Sequence, residues 1–269
     1  MFQKLKKEIK KSSEVYENCW KIEVQPTTGE IYIRPKWFKY CCILMDLIAK
    51  SGYCNILYLF ITKPFKKGFL LYPDYLVYKD ENYIFYMIII KNKKCKIENI
   101  LKEYPNSEIF DVTSKGEYKT LSPFYPHGSI PVPFSGSVTS QSVEGIWQGL
   151  KVFEHEGIDF SCFNNKTMKN LKRTVRTHGK CLGHQTGLGS KELLGYINAR
   201  KNIYIPSYMW MLENKCQKEI AYFKNLLKEG KTIVFLDYDT NENVEDASKP
   251  LSHASLIKKY LLNEIRTTN

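Results

Sequence analysis

Four polar residues, Gln141, Glu144, Gln148 and Lys151, follow one another at steps of three, four and three. On an α-helix that spacing stacks side chains along one edge. Beside them Val143, Ile146, Trp147, Leu150 and Phe153 recur at helical spacing as an apolar stripe. The sequence therefore predicts a helix over residues 141–154 whose polar edge lies where core meets solvent. A half-buried carboxylate with an ammonium nearby can act as a general base or orient a water, and the lysine can hold an anion. The competing reading is an ordinary amphipathic helix with a solvated polar edge.

Two further clusters carry charge. Residues 164–180 hold Lys166, Lys169, Lys172, Arg173, Arg176 and Lys180 and no acidic residue. Lys172, Arg173 and Arg176 are close enough in sequence to grip a pyrophosphate or a nucleic-acid backbone; a solvated basic face is the alternative. The run DYDTNENVED brings Asp237, Asp239, Glu242, Glu245 and Asp246 just after an apolar strand. Asp237 and Asp239 are candidates for a second catalytic carboxylate or for holding ribose hydroxyls, against a solvated acidic loop. As a calcium loop the run fails, because Glu242 stands where glycine is needed and Ser248 where the last carboxylate is needed. GHQTGLGSK lacks phosphate-loop spacing, and His178-x-x-Cys181-x-x-His184 has no fourth ligand nearby. No nucleophile elbow occurs, and no metal or other cofactor is expected. His253 either caps the last helix or lines a pocket.

The spacing Glu144-x-x-x-Gln148-x-x-Lys151, preceded by Leu121-Ser122-Pro123-Phe124-Tyr125-Pro126, resembles the signature of the NADAR superfamily, the YbiA-like N-glycosidases. Members carry a similar Phe-Ser-Asn-Phe-Tyr-Pro loop and then a Glu-His-x-x-Gln-x-x-Lys helix. Residues 108–260 are similar more closely to an uncharacterised bacterial family. The matching stretches are SPFYPHGSIPVPFSG, SVEGIWQGLKVFE, MKNLKRTVRTHGK, YIPSYMW and DYDTNENVEDASKPLSHA. The resemblance implies cleavage of N-glycosidic bonds to ribose-phosphate groups, with an ADP-ribose, a nucleotide or a modified nucleobase as substrate. It makes Glu144 the catalytic carboxylate and Gln148 and Lys151 polar groups of the pocket, and it places Phe124 and Tyr125 on a loop that closes over the base. Gly145 stands where the superfamily has His, and Pro123 where its loop has Asn. Breaking such a bond builds positive charge on the sugar, which a carboxylate can stabilise. Aromatic stacking would ease departure of the base, for which Trp147, Tyr208 and Trp210 are candidates; Trp147 on the apolar stripe also reads as core.

Other elements must position these residues. The sequence predicts an α+β protein in which a helix-rich, NADAR-like domain over 108–269 follows a basic α+β module over 1–107. That module reads as helices at 2–18 and 38–51, strands at 55–62, 69–78 and 83–91, a short helix at 98–104 and a strand at 108–112. The turn Asp80-Glu81-Asn82 makes an antiparallel hairpin of the 69–78 and 83–91 runs. Residues 113–139, rich in Gly, Pro and Ser/Thr but carrying Tyr118, Phe124, Tyr125 and Phe134, read as a shaped loop packed over a pocket. Helices follow at 191–201 and 206–228, with Pro206 in the first turn and Gly230 past the end, then a buried strand at 232–237 and a helix at 251–265.

The 269 residues carry a net charge of +12. Residues 1–100 hold 18 Lys/Arg against 10 Asp/Glu, and residues 101–269 hold 22 against 18. This balance favours polyanions such as nucleic acid or phosphate-bearing metabolites, with a merely solubilising lysine surface as the other reading. The eight cysteines include no CxxC, no apolar leader opens the chain and no apolar run is long enough to span a membrane. A cytoplasmic protein with no membrane partner is expected. A non-catalytic nucleotide or nucleic-acid binding protein, using the same pocket and the basic N-terminal module, is the alternative function. Residues 1–107 acting as a partner-docking domain is a third.

Overall fold

The structure, a computed structural model, describes residues 87–267 continuously, with side chains to residue 263. Before residue 87 it describes only the backbones of six strands. The expected helices at 2–18 and 38–51 lie outside the described residues. The chain divides into two compact units, Met1–Tyr86 and Met87–Asn269.

In the first unit the described strands form antiparallel pairs: β1 (Trp20–Val24) with β2 (Ile31–Pro35), β3 (Phe60–Pro64) with β4 (Phe69–Pro73), and β5 (Leu76–Lys79) with β6 (Asn82–Phe85). The expected hairpin is present but shorter. Lys79 faces Asn82, and the 69–78 run is two strands with different partners.

The second unit is built on a sheet of three parallel strands in the order β7 (Ile88–Asn92), β14 (Thr232–Asp237), β8 (Ser107–Asp111). This differs from the sequence expectation. The strands at 88–92 and 107–111, with the helix α1 (Ile97–Glu103) between them, join the C-terminal unit, so the boundary falls at 86/87 and not at 107. The reason is a non-local pairing: β14 inserts between two strands more than a hundred residues earlier in the chain, with Ile233 opposite Ile88 and Val234 opposite Ile109. A central parallel strand is buried on both faces, hence the unbroken apolar run Ile233–Leu236. On one face Val234 and Leu236 pack against Ile100 of α1. On the other, Phe235 and Phe110 meet Phe223, with ring centroids 5.0 and 4.9 Å apart. Phe223 belongs to α7 (Gln217–Lys228), which ends before Gly230 at φ +75°. Each such side chain, fully buried, contributes about 1.5–3 kcal/mol.

The remaining elements stand between β8 and β14 in sequence. They are the short pair β9 (Ile130–Pro131) and β10 (Thr139–Ser140), α2 (Val143–Gly149), β11 (Lys151–Phe153), α3 (Phe160–Phe163), α4 (Val175–His178), β12 (Cys181–Gln185), β13 (Leu193–Leu194), α5 (Tyr196–Ala199) and α6 (Ile205–Lys215). β12 pairs antiparallel with both β11 and β13. Pro206 sits in the first turn of α6 as expected, while Cys216 separates α6 from α7 where one helix was expected. The chain closes with α8 (His253–Thr267). The mixed helix-and-strand architecture is thus as expected, but the strands at 88–92 and 107–111, expected in the antiparallel sheet of the N-terminal module, belong here to a parallel sheet.

Candidate active site

The expected helix over 141–154 is half that length. Ser142 caps it, its Oγ accepting from the Gly145 amide at 3.0 Å, and the last helical residue is Gly149. Two glycines one turn apart explain the compact fit. A Cβ on Gly145 would lie 2.5 Å from the Cys162 carbonyl oxygen, and one on Gly149 would lie 2.3 Å from the Phe163 ring. The face of α2 that carries them is pressed against α3, and the entry is clamped there too, the Gln141 amide donating to the Phe163 carbonyl at 2.7 Å. Gln141 therefore precedes the helix, and Lys151 lies beyond it as the first residue of β11. The β-branched and aromatic pair Val152-Phe153 goes into the strand.

Three of the four polar residues still meet. The Gln148 Nε2 donates to Glu144 Oε1 at 2.7 Å, and Lys151 Nζ donates to Gln148 Oε1 at 3.0 Å. The Arg173 backbone N–H donates to the same Gln148 oxygen at 3.1 Å. Glu144 is 7 % exposed. Burial pushes its carboxyl above the ordinary carboxylate range, and the Gln148 amide, Lys151 and Lys172 offset this only in part. Burial likewise pulls the Lys151 ammonium down, against the pull of Glu144. The Glu144 amide donates to the Pro123 carbonyl at 2.8 Å, tying the 121–126 loop to the helix start.

These groups line a cavity of about 900 Å³ that opens at the carboxyl ends of β8 and β14. That is where ligands sit on open parallel sheets. The loop after β8 supplies Ser114 and Lys115, and the loop after β14 supplies Tyr238 and Asp239. Phe124, Trp147, Tyr196 and Tyr204 give it an aromatic wall. The Trp147 ring meets Tyr196 and Tyr204 edge-on, at 5.8 and 5.6 Å, and is backed by His184 at 3.8 Å. Burial holds His184 down to about 3, with Lys151 adding to the effect, so this imidazole is neutral. A π-helical turn over Arg200–Tyr204 places Arg200 and Tyr204 together on the cavity.

The second expected carboxylate, Asp237, ends β14 and also lines the cavity, but its oxygens are occupied. Oδ2 accepts from Ser252 Oγ (2.7 Å), from the Ala254 amide (3.3 Å) and from His253 Nδ1 (3.0 Å); Oδ1 accepts from the Tyr238 amide (2.7 Å). Burial alone would raise its proton affinity, yet His253 and the hydroxyl and amide donors win and lower it. His253 also contacts the Val112 carbonyl through Nε2, at 2.9 Å. Burial works against the charge on His253, and Asp237 and the Val112 carbonyl outweigh it and raise its pKa. Of the two alternatives for His253, the pocket position is the one seen: it lines the cavity as the first residue of α8, while the Ala254 amide at the helix start is capped by Asp237. Asp239 is more exposed; burial, with Asp237 next, raises its carboxyl.

The basic residues part company. Lys172 is exposed at the cavity, 5.9 Å above the Phe124 ring. Arg173 is buried and points its guanidinium at the carbonyls of Gln148 (3.2 Å), Lys151 (2.8 Å) and Gly157 (2.6 Å), stitching α2 to β11. Arg176 is exposed on α4 and does not line the cavity. Neither do Gln141, Tyr125, Tyr208 or Trp210. The Tyr125 ring lies 4.7 Å from His127, the Tyr208 hydroxyl donates to the Leu121 carbonyl at 2.6 Å, and Trp210 lies under Lys215 Nζ at 5.8 Å. Arg200 is a site residue that the sequence reading missed. It is 2 % exposed and donates to the carbonyls of Val244, Asp246 and Lys249, so the acidic loop is held through its backbone. Tyr196 and Tyr204 were missed as well; the only sequence signal is their spacing, four residues to either side of Arg200. Five lysines and arginines (Lys115, Lys151, Lys172, Arg173, Arg200) line the cavity against three carboxylates (Glu144, Asp237, Asp239), a surplus suited to an anionic ligand.

Among the described residues no three His, Cys, Asp or Glu side chains group to hold a metal ion, and no helix is long and apolar enough to cross a membrane. A family model described as a family of unknown function (DUF6939) matches residues 92–257, a span that contains every residue lining the cavity. No curated protein matches the chain.

Proposed function

We propose that this chain, which belongs to that family of unknown function (DUF6939), is an N-glycosidase-type hydrolase with Glu144 as its catalytic carboxyl group. The observation that carries the reading is Glu144 itself, buried at a cavity with a raised proton affinity and one oxygen fixed by Gln148. Buried, pKa-shifted carboxyls in clefts are candidates for proton transfer. The resemblance to NADAR proteins, carried by Glu144, Gln148, Lys151 and the Phe124-Tyr125-Pro126 loop, selects the N-glycosidic bond among the bonds such a group could break.

The cavity suits that chemistry. Phe124, Trp147, Tyr196 and Tyr204 form flat apolar surfaces against which a departing base can stack, and Lys115 and Lys172 give the rim charge for phosphate. Lys151 and Gln148 orient the carboxyl group; Asp239 is the residue placed to hold a ribose hydroxyl. The class of substrate is an ADP-ribose group, a nucleotide, or a modified base in nucleic acid. The test is incubation with NAD, ADP-ribose, nucleotides and ADP-ribosylated DNA and RNA, with mass spectrometry of any released base. Base release by the protein and none by Glu144→Gln is the expected result. Tight binding with no release, unchanged in Glu144→Gln, would establish the binding-protein alternative instead.

A further inference from the structure

We infer that Gln148 is a positioning residue that fixes the Glu144 proton on Oε2, so that Glu144 presents a directed acid to its ligand. Only the use made of that proton rests on the function proposed above. Its placement follows from the direction of three hydrogen bonds.

The backbone N–H of Arg173 can only donate. The Gln148 side-chain atom it meets at 3.1 Å must therefore be the amide oxygen. Lys151 Nζ takes the second lone pair of that oxygen at 3.0 Å. With the oxygen so engaged, the NH2 group is left facing Glu144, 2.7 Å from Oε1. An amide N–H cannot accept, and Gln148 is 4 % exposed, so no competing solvent turns it. Oε1 is thus an obligate acceptor. In a protonated carboxyl group the carbonyl oxygen is the better acceptor, so the hydroxyl is the other oxygen, Oε2. Among the described residues Oε2 has no hydrogen-bond partner, and Glu144 lines the cavity. The raised proton affinity of Glu144 keeps this form populated to higher pH than for an exposed glutamate.

In an N-glycosidic cleavage the C–N bond breaks with its electron pair going to the base nitrogen, and the Oε2 proton moves to the base. Water then adds to the sugar carbon and returns a proton to the carboxylate, restoring Glu144. Arg173, through its main chain, and Lys151 therefore set the direction of proton delivery without touching the reacting atoms.

Infrared difference spectra between the protein and Glu144→Gln isolate the C=O stretch of protonated Glu144. A carbonyl that accepts a hydrogen bond absorbs at lower wavenumber. The expected result is a lowered band that moves to higher wavenumber in Gln148→Met. A second measurement needs no change at Gln148. The side-chain NH2 resonances of Gln148 in a 15N–1H spectrum should move downfield as Glu144 ionises, and should stay still over the same pH range in Glu144→Gln. An unmoved band in folded Gln148→Met, or NH2 resonances blind to the Glu144 titration, overturns the assignment. Neither readout uses a substrate. A correctly bonded Glu144 in a protein that releases no base would instead count against the N-glycosidase reading alone.

Discussion

Glu144 and Asp237 are two buried carboxylates on one cavity, and their surroundings push them in opposite directions. Asp237 receives four donors, one of them the His253 imidazolium, and holds its charge. Glu144 receives one amide N–H, and burial raises its proton affinity. The same side-chain chemistry thus yields a structural anchor at the end of β14 and, at the start of α2, a carboxyl group that keeps its proton to higher pH. Divergent environments of this kind are how one site separates its acid from its fixed charge. The distinction rests on how many donors each oxygen meets, since both residues are similarly buried.

The sharpest way to break the comparison is to remove the carboxyl group at each position in turn. Glu144→Gln should lower base release by roughly 100- to 10,000-fold, the usual range for a lost acid–base group, while the denaturation midpoint does not fall. Asp237→Ala should cost about 3–5 kcal/mol in a urea titration, because it strands the buried His253 charge and removes the acceptor at the start of α8. A Glu144 variant that unfolds, or an Asp237 variant of undiminished stability, would reverse the two roles.

Stability against pH sharpens the same contrast. Asp237 has its pKa lowered from 3.8, so its contribution is present above that value and is lost as pH falls through the folded-state pKa. His253, raised from 6.5, contributes fully below that value and loses its contribution as pH rises through its folded-state pKa. Glu144 runs opposite to Asp237 and in the same direction as His253. Raised from 4.5, it makes the folded state lose stability as pH climbs through its folded-state pKa, since the buried group must then ionise. Denaturant titrations across pH should therefore show Glu144→Gln gaining on the parent protein from acid towards neutral pH.

Smaller effects follow at the edges of the site. Gly145→Ala should destabilise by about 1–3 kcal/mol, because the new methyl group meets the Cys162 carbonyl and the α2–α3 contact must open. Lys172→Ala should weaken binding of a phosphate-bearing ligand by roughly two- to five-fold at low salt, as expected of an exposed ammonium, and Arg176→Ala should leave it unchanged. Isothermal calorimetry reads both.

The sequence made local features plain and long-range ones opaque. The strand at 232–237, the terminating Gly230 and the Glu144–Gln148 pair were legible because each depends on a few neighbouring residues. The parallel sheet was hidden, because nothing local to 88–92 or 107–111 announces a partner at 232–237. The helix over 141–154 was expected because a periodic pattern runs on through Lys151 and Phe153, whereas α2 ends at Gly149 and Lys151–Phe153 pair with β12 as a strand. Arg173 read as a phosphate grip, yet the carbonyls that engage it lie outside its own segment.

The order of the sheet has a consequence for how the protein comes into being. Its middle strand is the last of its strands to leave the ribosome, and β7 and β8 wait for it with unpaired inner edges for some 120 residues of synthesis. Until Thr232–Asp237 arrives there is no floor to the cavity and no Asp237 to receive α8. Over that interval the unpaired edges of β7 and β8 are open to edge-to-edge association, and the arrival of β14 closes the sheet and completes the cavity together.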